Sequence, residues 1–179
     1  MKLTAALRPQ LIGNPLDGGA KVDRLKTIGI LALVALFLPL ILVYVACYLL
    51  WFFVWGAILR AWFWRAHVAQ GRRVLFVYSE SPNWQTYIEE NILPRIGDRA
   101  VVLNWSERQL WSSTSPWEAR FFRRFSGDRE FNPLALVFCS RGRIRSVRFY
   151  RAFLDFKHGK ESALREAEAE LFALVEAAV

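Results

Sequence analysis

The chain is short of the side chains that most often carry chemistry. In 179 residues it has two cysteines, Cys47 and Cys139, and two histidines, His67 and His158. Two cysteines cannot staple a disulfide-dense scaffold. The histidines are far apart, and neither has a Cys, His or carboxylate at ligand spacing. The four donors of a structural zinc site are therefore missing, and neither a metal nor another cofactor is expected. Neither G-x-x-x-x-G-K-[ST] nor G-x-G-x-x-G occurs, so the common glycine-rich phosphate cradles are excluded. No G-x-S-x-G elbow surrounds a serine, and no catalytic residue is assigned. Negative charge is scarce too, with 16 Asp and Glu against 24 Lys and Arg for a net charge of +8. What is abundant is apolar mass, 54 % hydrophobic and 15 % aromatic, which excludes disorder as the main state.

The longest absence is of charge. Residues 27–59 run for 33 positions between Lys26 and Arg60 without one charged side chain. About 20 apolar residues suffice to cross a hydrocarbon core, so an N-terminal transmembrane helix is expected. A single helix of this length would be roughly 50 Å long at about 1.5 Å per residue, longer than the core is thick. Residues 28–43 are aliphatic. Residues 44–64 carry Tyr44, Tyr48, Trp51, Phe52, Phe53, Trp55, Trp62, Phe63 and Trp64, the aromatic composition of a headgroup layer. The expected span is 28–51, continuing as an aromatic interfacial helix to about His67, with Arg60 and Arg65 reaching for phosphates.

Pro39 lies inside the run and reads as a kink, with a shallow re-entrant hairpin as the alternative. A cleaved signal peptide fits poorly, because a polar lead of 26 residues precedes a run far longer than an h-region. Within about 20 residues of the run, four basic residues stand before it (Arg8, Lys21, Arg24, Lys26) and four after it (Arg60, Arg65, Arg72, Arg73). The positive-inside rule therefore sets no orientation. The arginine-rich surface and lone cysteine of the C-terminal half suit a reducing compartment. They place that half in the cytoplasm, on an inner or plasma membrane.

Three regions follow: a polar tail at 1–26, the transmembrane helix with its interfacial extension at 27–67, and a domain at 70–179. In the last, residues 74–78 are an apolar run rich in β-formers. Ser81 before Pro82 reads as a helix cap, and Trp84, Tyr87, Ile88 and Ile92 recur at helical spacing until Pro94. Residues 100–105 make a second strand, parallel to the first because a short helical crossover joins them. Ser115 and Glu118 have capping-box spacing at the head of a helix carrying Phe121, Phe122 and Phe125. Residues 134–139 and 144–150 make two further strands joined by a tight turn at residues 140–143. Leu164, Ala167, Leu171, Leu174 and Val175 form the apolar stripe of a closing helix.

The order β-α-β-α-β-β-α, with a parallel first pair, resembles the thioredoxin fold, a small α/β sandwich. A helix starts directly after the first strand at Ser79-Glu80-Ser81-Pro82, where that family places its active-site motif. Pro133 precedes the third strand, where the family carries a cis-proline facing the motif, and Gly159 precedes the last helix. The resemblance covers residues 70–179. It implies a binding site at Ser79, Glu80, Ser81, Asn83 and Pro133. The family's two cysteines would align with Ser79 or Ser81 and their neighbours, and none of these is a cysteine. Thiol–disulfide exchange needs a thiolate, so the resemblance implies a redox-silent member. Cys139 reads as a small buried hydrophobe.

The remaining signal is basic. Nine arginines fall between Arg120 and Arg151, against Asp128 and Glu130. Arg141, Arg143, Arg145 and Arg148 are grouped on one hairpin, as a charged, protected sheet edge or a docking surface. In a tethered domain the nearest anionic partner is the bilayer's acidic headgroups. Nucleic acid is disfavoured, since no recognition motif accompanies the charge. The expectation is a membrane-anchored, non-catalytic domain that binds a protein partner or an anionic membrane surface. The alternative is a membrane-bound enzyme with its site at the Ser79–Asn83 turn facing Pro133.

Overall fold

The computed structural model describes residues 16–127 and 132–177, without the side chains of 16–25 and of Arg141. Readings that involve residues 1–15, Asp128, Arg129 or Glu130 lie outside the described residues. The chain divides into two compact units, Met1–Phe52 and Phe53–Val179.

Helix α1, Leu16–Ala66, is 51 residues long and passes through Pro39 without a break. A hairpin turning at Pro39 is therefore not formed. The helix also begins earlier than expected, taking in Asp17-Gly18-Gly19 of the stretch read as a polar tail. Once a long helix is nucleated, each added residue gains a hydrogen bond, so two glycines at about 1 kcal/mol each do not stop it. Within the first unit the large side chains are exposed, Leu36 at 64 % and Tyr44 at 71 % for example. This helix is long and apolar enough to cross a membrane, and none of its most apolar window is buried.

The second unit is mixed α/β. Strands β1 (Val74–Tyr78), β2 (Ala100–Asn104), β3 (Leu134–Phe138) and β4 (Ile144–Arg148) form one sheet in the order β2-β1-β3-β4. β1 and β2 are parallel, as the short crossover requires, whereas β3 is antiparallel to both β1 and β4. β1 and β3 are buried at every position, because they are central strands with both faces covered.

The crossover helix α2 covers residues 85–96 and contains a π-helical turn, Ile88–Ile92. It does not stop at Pro94. The Leu93 N–H bonds to the Ile88 carbonyl, five residues back. This wider turn makes room for a ring that has no N–H to give. A single turn α3, Trp111–Thr114, precedes α4, Pro116–Phe125. After β4 the chain enters α5, Tyr150–Lys157, where the sequence had read as strand up to residue 150, and then α6, Ser162–Ala177. The signal for α5 was present in Phe149, Phe153 and Phe156, spaced to share one helical face.

Alternation along the strands sorts the core into two layers. Val74, Phe76, Ala135, Val137 and Val147 face α2, α5 and α6. Leu75, Val77, Leu134, Leu136 and Phe138 face α4 and the end of α1. Leu59 and Phe63 of α1 are wholly buried in this second layer, and Phe63 stacks on Phe121 at 4.2 Å between centroids. The last turns of α1, assigned from sequence to a membrane interface, are thus a core helix of the globular unit. The unit begins at Phe53 and not near residue 70. Trp62 stacks on Trp117 at 5.6 Å, while Phe53, Ile58 and Trp64 stay exposed on the same helix.

Candidate functional site

The sheet topology gathers the candidate residues at one edge. Parallel pairing puts the ends of β1 and β2 together, with Tyr78 opposite Asn104. The antiparallel β3 begins at the same end, where Leu134 pairs with Val77. Pro133, buried and joined to Asn132 by a cis peptide bond, therefore stands beside the exit of β1. In open α/β sheets this carboxyl end of parallel strands is where ligand crevices form.

The turn after β1 is held by its own hydrogen bonds. Ser81 N–H donates to the Ser79 carbonyl at 2.8 Å, and the Ser81 carbonyl accepts from Trp84 and Gln85. Ser81 Oγ accepts from the Asn83 N–H at 3.4 Å and from Asn83 Nδ2 at 3.3 Å. The hydroxyl thus ties the turn before α2, and the helix proper begins at Gln85. Ser79 and Ser81 are half-buried, whereas Glu80 and Asn83 are exposed.

Glu80 looks towards β2. Asn104 Nδ2 donates to Glu80 Oε1 at 2.7 Å, and the Glu80 N–H donates to Ser106 Oγ at 3.0 Å. The Ser106 N–H in turn donates to Asn104 Oδ1 at 3.0 Å. The Trp111 indole pins the Asn104 carbonyl from below, also at 3.0 Å. Glu80, Asn104 and Ser106 close a ring of polar contacts across the ends of two strands. Asn104 and Ser106 are absent from the sequence-derived site. They were findable as the residues that leave the second strand of a βαβ unit, the place corresponding to Ser79 and Glu80 on the first.

Two tyrosines flank this end. Tyr78 Oη donates to Glu89 Oε1 at 2.9 Å, and burial with that carboxylate beside it pushes the phenol up to about 12. Tyr87 Oη donates to Glu168 Oε1 at 2.7 Å. Burial, then the bond to Glu168, raise it to about 12 as well. Both are neutral donors that hold carboxylates in place across elements.

The remaining candidates lie elsewhere. Cys139, just after β3, is half-buried and its Sγ points at the Val137 carbonyl 3.7 Å away. Burial pushes its thiol up, opposed by the charge of Arg145. Arg143, Arg145 and Arg148 are exposed, and the Arg141 side chain lies outside the described residues. β4 is an edge strand, and Arg145 and Arg148 fall on opposite faces of it. Arg148 Nη2 donates to the Ser126 carbonyl, just past the end of α4, so it closes that helix's C-terminus. His67 is buried, and its Nε2 lies 3.0 Å from Glu118 Oε1. Glu118 therefore does not complete a capping box, and Ser115 makes no side-chain cap bond. His158 is exposed beyond α5. Among the described residues, no three His, Cys, Asp or Glu gather closely enough to hold a metal ion.

Compared with known proteins, the chain matches no family model, no curated protein and no solved structure.

Proposed function

We propose that the protein is a single-pass, membrane-anchored binding module. Its globular unit is a thioredoxin-like domain without the family's cysteine pair, and it docks on a protein partner or an anionic membrane surface. The observation that carries the reading is the continuity of α1. Its apolar length is exposed, yet its last turns place Leu59 and Phe63 at 0 % exposure in the globular core. An exposed apolar helix of this length is costly in water and at home in lipid. The strand order β2-β1-β3-β4, with one parallel and two antiparallel pairs, supports the thioredoxin-like reading. At the Ser79–Asn83 turn, Glu80 is engaged by Asn104 and Ser106 on the β2 side, away from Pro133. This supports binding over the alternative of an enzyme acting between Glu80 and Pro133.

The anchor is tested by washing membranes that contain the full chain with alkaline carbonate. The protein is expected to stay in the pellet, and its release would refute the anchor. The cytoplasmic placement of the globular unit is tested with Glu161→Cys, at an exposed position on the surface of that unit. An impermeant thiol reagent should label this site only after lysis, and labelling of intact cells would reverse the orientation.

A further inference from the structure

Helix α4 does not run along α1; it crosses it. From Trp117 to Arg124 the axis of α4 advances by roughly 10 Å at about 1.5 Å per residue. Were α4 parallel to α1, these two points would meet places on α1 equally far apart. The contacts do not shift in this way. At the start of α4 the Trp117 ring meets Trp55 at 6.2 Å and Trp62 at 5.6 Å. At its end the Phe125 ring lies 5.2 Å from the Arg60 guanidinium carbon. Arg124 passes over Gly56, where a Cβ would stand 3.2 Å from Nη2. Both ends of α4 therefore lie level with residues 55–62 of α1, and between them Phe121 stacks on Phe63.

The crossing gives α4 two different edges. Glu118 looks towards the Ala66 end of α1, where it meets His67. The other edge reaches back to Trp55 through Trp117 and to Gly56 through Arg124, near the Phe53 end. Arg120 lies on this same edge, three residues from one and four from the other. It is exposed, and its guanidinium carbon sits 5.0 Å from the centre of the Trp117 ring. Trp55, Trp62 and Trp117 are each half-buried, packed on the core from one side and open on the other. At this level of α1, Phe53, Val54 and Ile58 are exposed, and Arg60 is the first charged residue after the uncharged run. Apolar surface giving way to tryptophans and a first arginine is the composition of a membrane–water boundary.

We propose that α4 lies in the headgroup layer of the bilayer that α1 crosses, with its Trp117–Arg120 edge against lipid. The globular unit then docks on the membrane through α4. This rests on the membrane reading given above and names the docking surface that reading leaves open. A helix that lies across a spanning helix lies in the plane of the interface. There its tryptophan sits at the boundary and the stem of its arginine runs along apolar surface to a polar head. The occupant is lipid because the exposed apolar surface of α1 continues without a break to the level of α4.

The test uses the full wild-type chain in phosphatidylcholine nanodiscs, one copy per disc. A phosphatidylcholine with a photoactivatable diazirine in its headgroup is irradiated, and its adducts are mapped by mass spectrometry. Adducts are expected on residues 53–64 and on 116–120, several-fold above α5 and α6, which cover the other face of the sheet. Adducts on α1 without any on α4 would overturn the docking, leave that edge to a protein partner and leave the anchor standing. No adducts on either would defeat the anchor itself. Labelling of α4 that disappears when each disc holds two copies would assign the edge to a second copy instead of lipid. A second readout attaches a bimane through Arg120→Cys, or through Arg151→Cys on α5, both at exposed positions, in a chain carrying Cys47→Ser and Cys139→Ser. Lipid spin-labelled at the headgroup should quench the probe at 120 several-fold more than the probe at 151. Equal quenching would overturn the docking of α4.

Discussion

Phe63 provides the sharpest test of the architecture, because a helix that merely leaves a membrane would not need it. Its ring is 0 % exposed, stacked on Phe121 at 4.2 Å and near Phe138 at 6.0 Å. Phe63→Ala removes a wholly buried aromatic packed between α4 and the sheet. Such truncations cost about 3–5 kcal/mol. Part of that is the stacking itself, about 0.5–1.5 kcal/mol per pair beyond the buried area. Whole domains are stable by only about 5–15 kcal/mol, so a large share would be lost. The melting temperature of the globular unit should fall by roughly 10–20 °C. The assay is a thermal melt of the full chain in neutral detergent, followed by tryptophan fluorescence. Trp62 and Trp117 report on this layer directly. Trp64→Ala, on the same helix but 52 % exposed, serves as the control and should change stability by less than about 1 kcal/mol. If Phe63→Ala melts within a few degrees of wild type while Phe122→Ala is severely destabilised, the end of α1 is not a core element.

Two further outcomes are expected. Tyr87 has its phenol raised from 10.0 to about 12. The folded state holds this proton more tightly than the unfolded chain. The resulting stability is complete below about pH 10 and is lost as pH climbs towards 12. Tyr87→Phe should flatten that alkaline limb in pH-dependent melts. At neutral pH it should cost about 1–3 kcal/mol, because Glu168, only 6 % exposed, loses its 2.7 Å partner. A limb as steep as wild type would refute the assignment. On β4, Arg148→Ala strips the donor from the Ser126 carbonyl and should cost about 1–2 kcal/mol in denaturant melts. Arg145→Ala should stay within about 0.5 kcal/mol, and equal effects would remove the distinction between them.

Much of the chain was legible in the sequence because its signals are local. A run of 33 residues without charge marks a helix fit for lipid whatever surrounds it. The apolar runs at 74–78, 100–105 and 134–139 mark strands to within a residue of their observed ends, and the short crossover makes the first two parallel. The grouping of Ser79–Asn83 with Pro133 at one end of the sheet was what the resemblance to the thioredoxin fold implied, not something the order of elements by itself requires. Tertiary structure alone decided which apolar surfaces are covered and by what. Tyr44 and Phe63 look alike in a hydropathy pattern, since an apolar side chain leaves water equally well for lipid or for protein. Only the packing of α4 against α1 separates an exposed Tyr44 from a buried Phe63. The same packing turned Glu118 from a helix cap into the partner of a buried His67, 51 residues away in sequence. It also carried Arg124 across Gly56 to the ring that Arg60 shares. These pairings join residues that are distant in sequence, and no spacing rule along one strand or helix encodes them. They exist because the chain buries the last turns of α1 in the same core as its sheet.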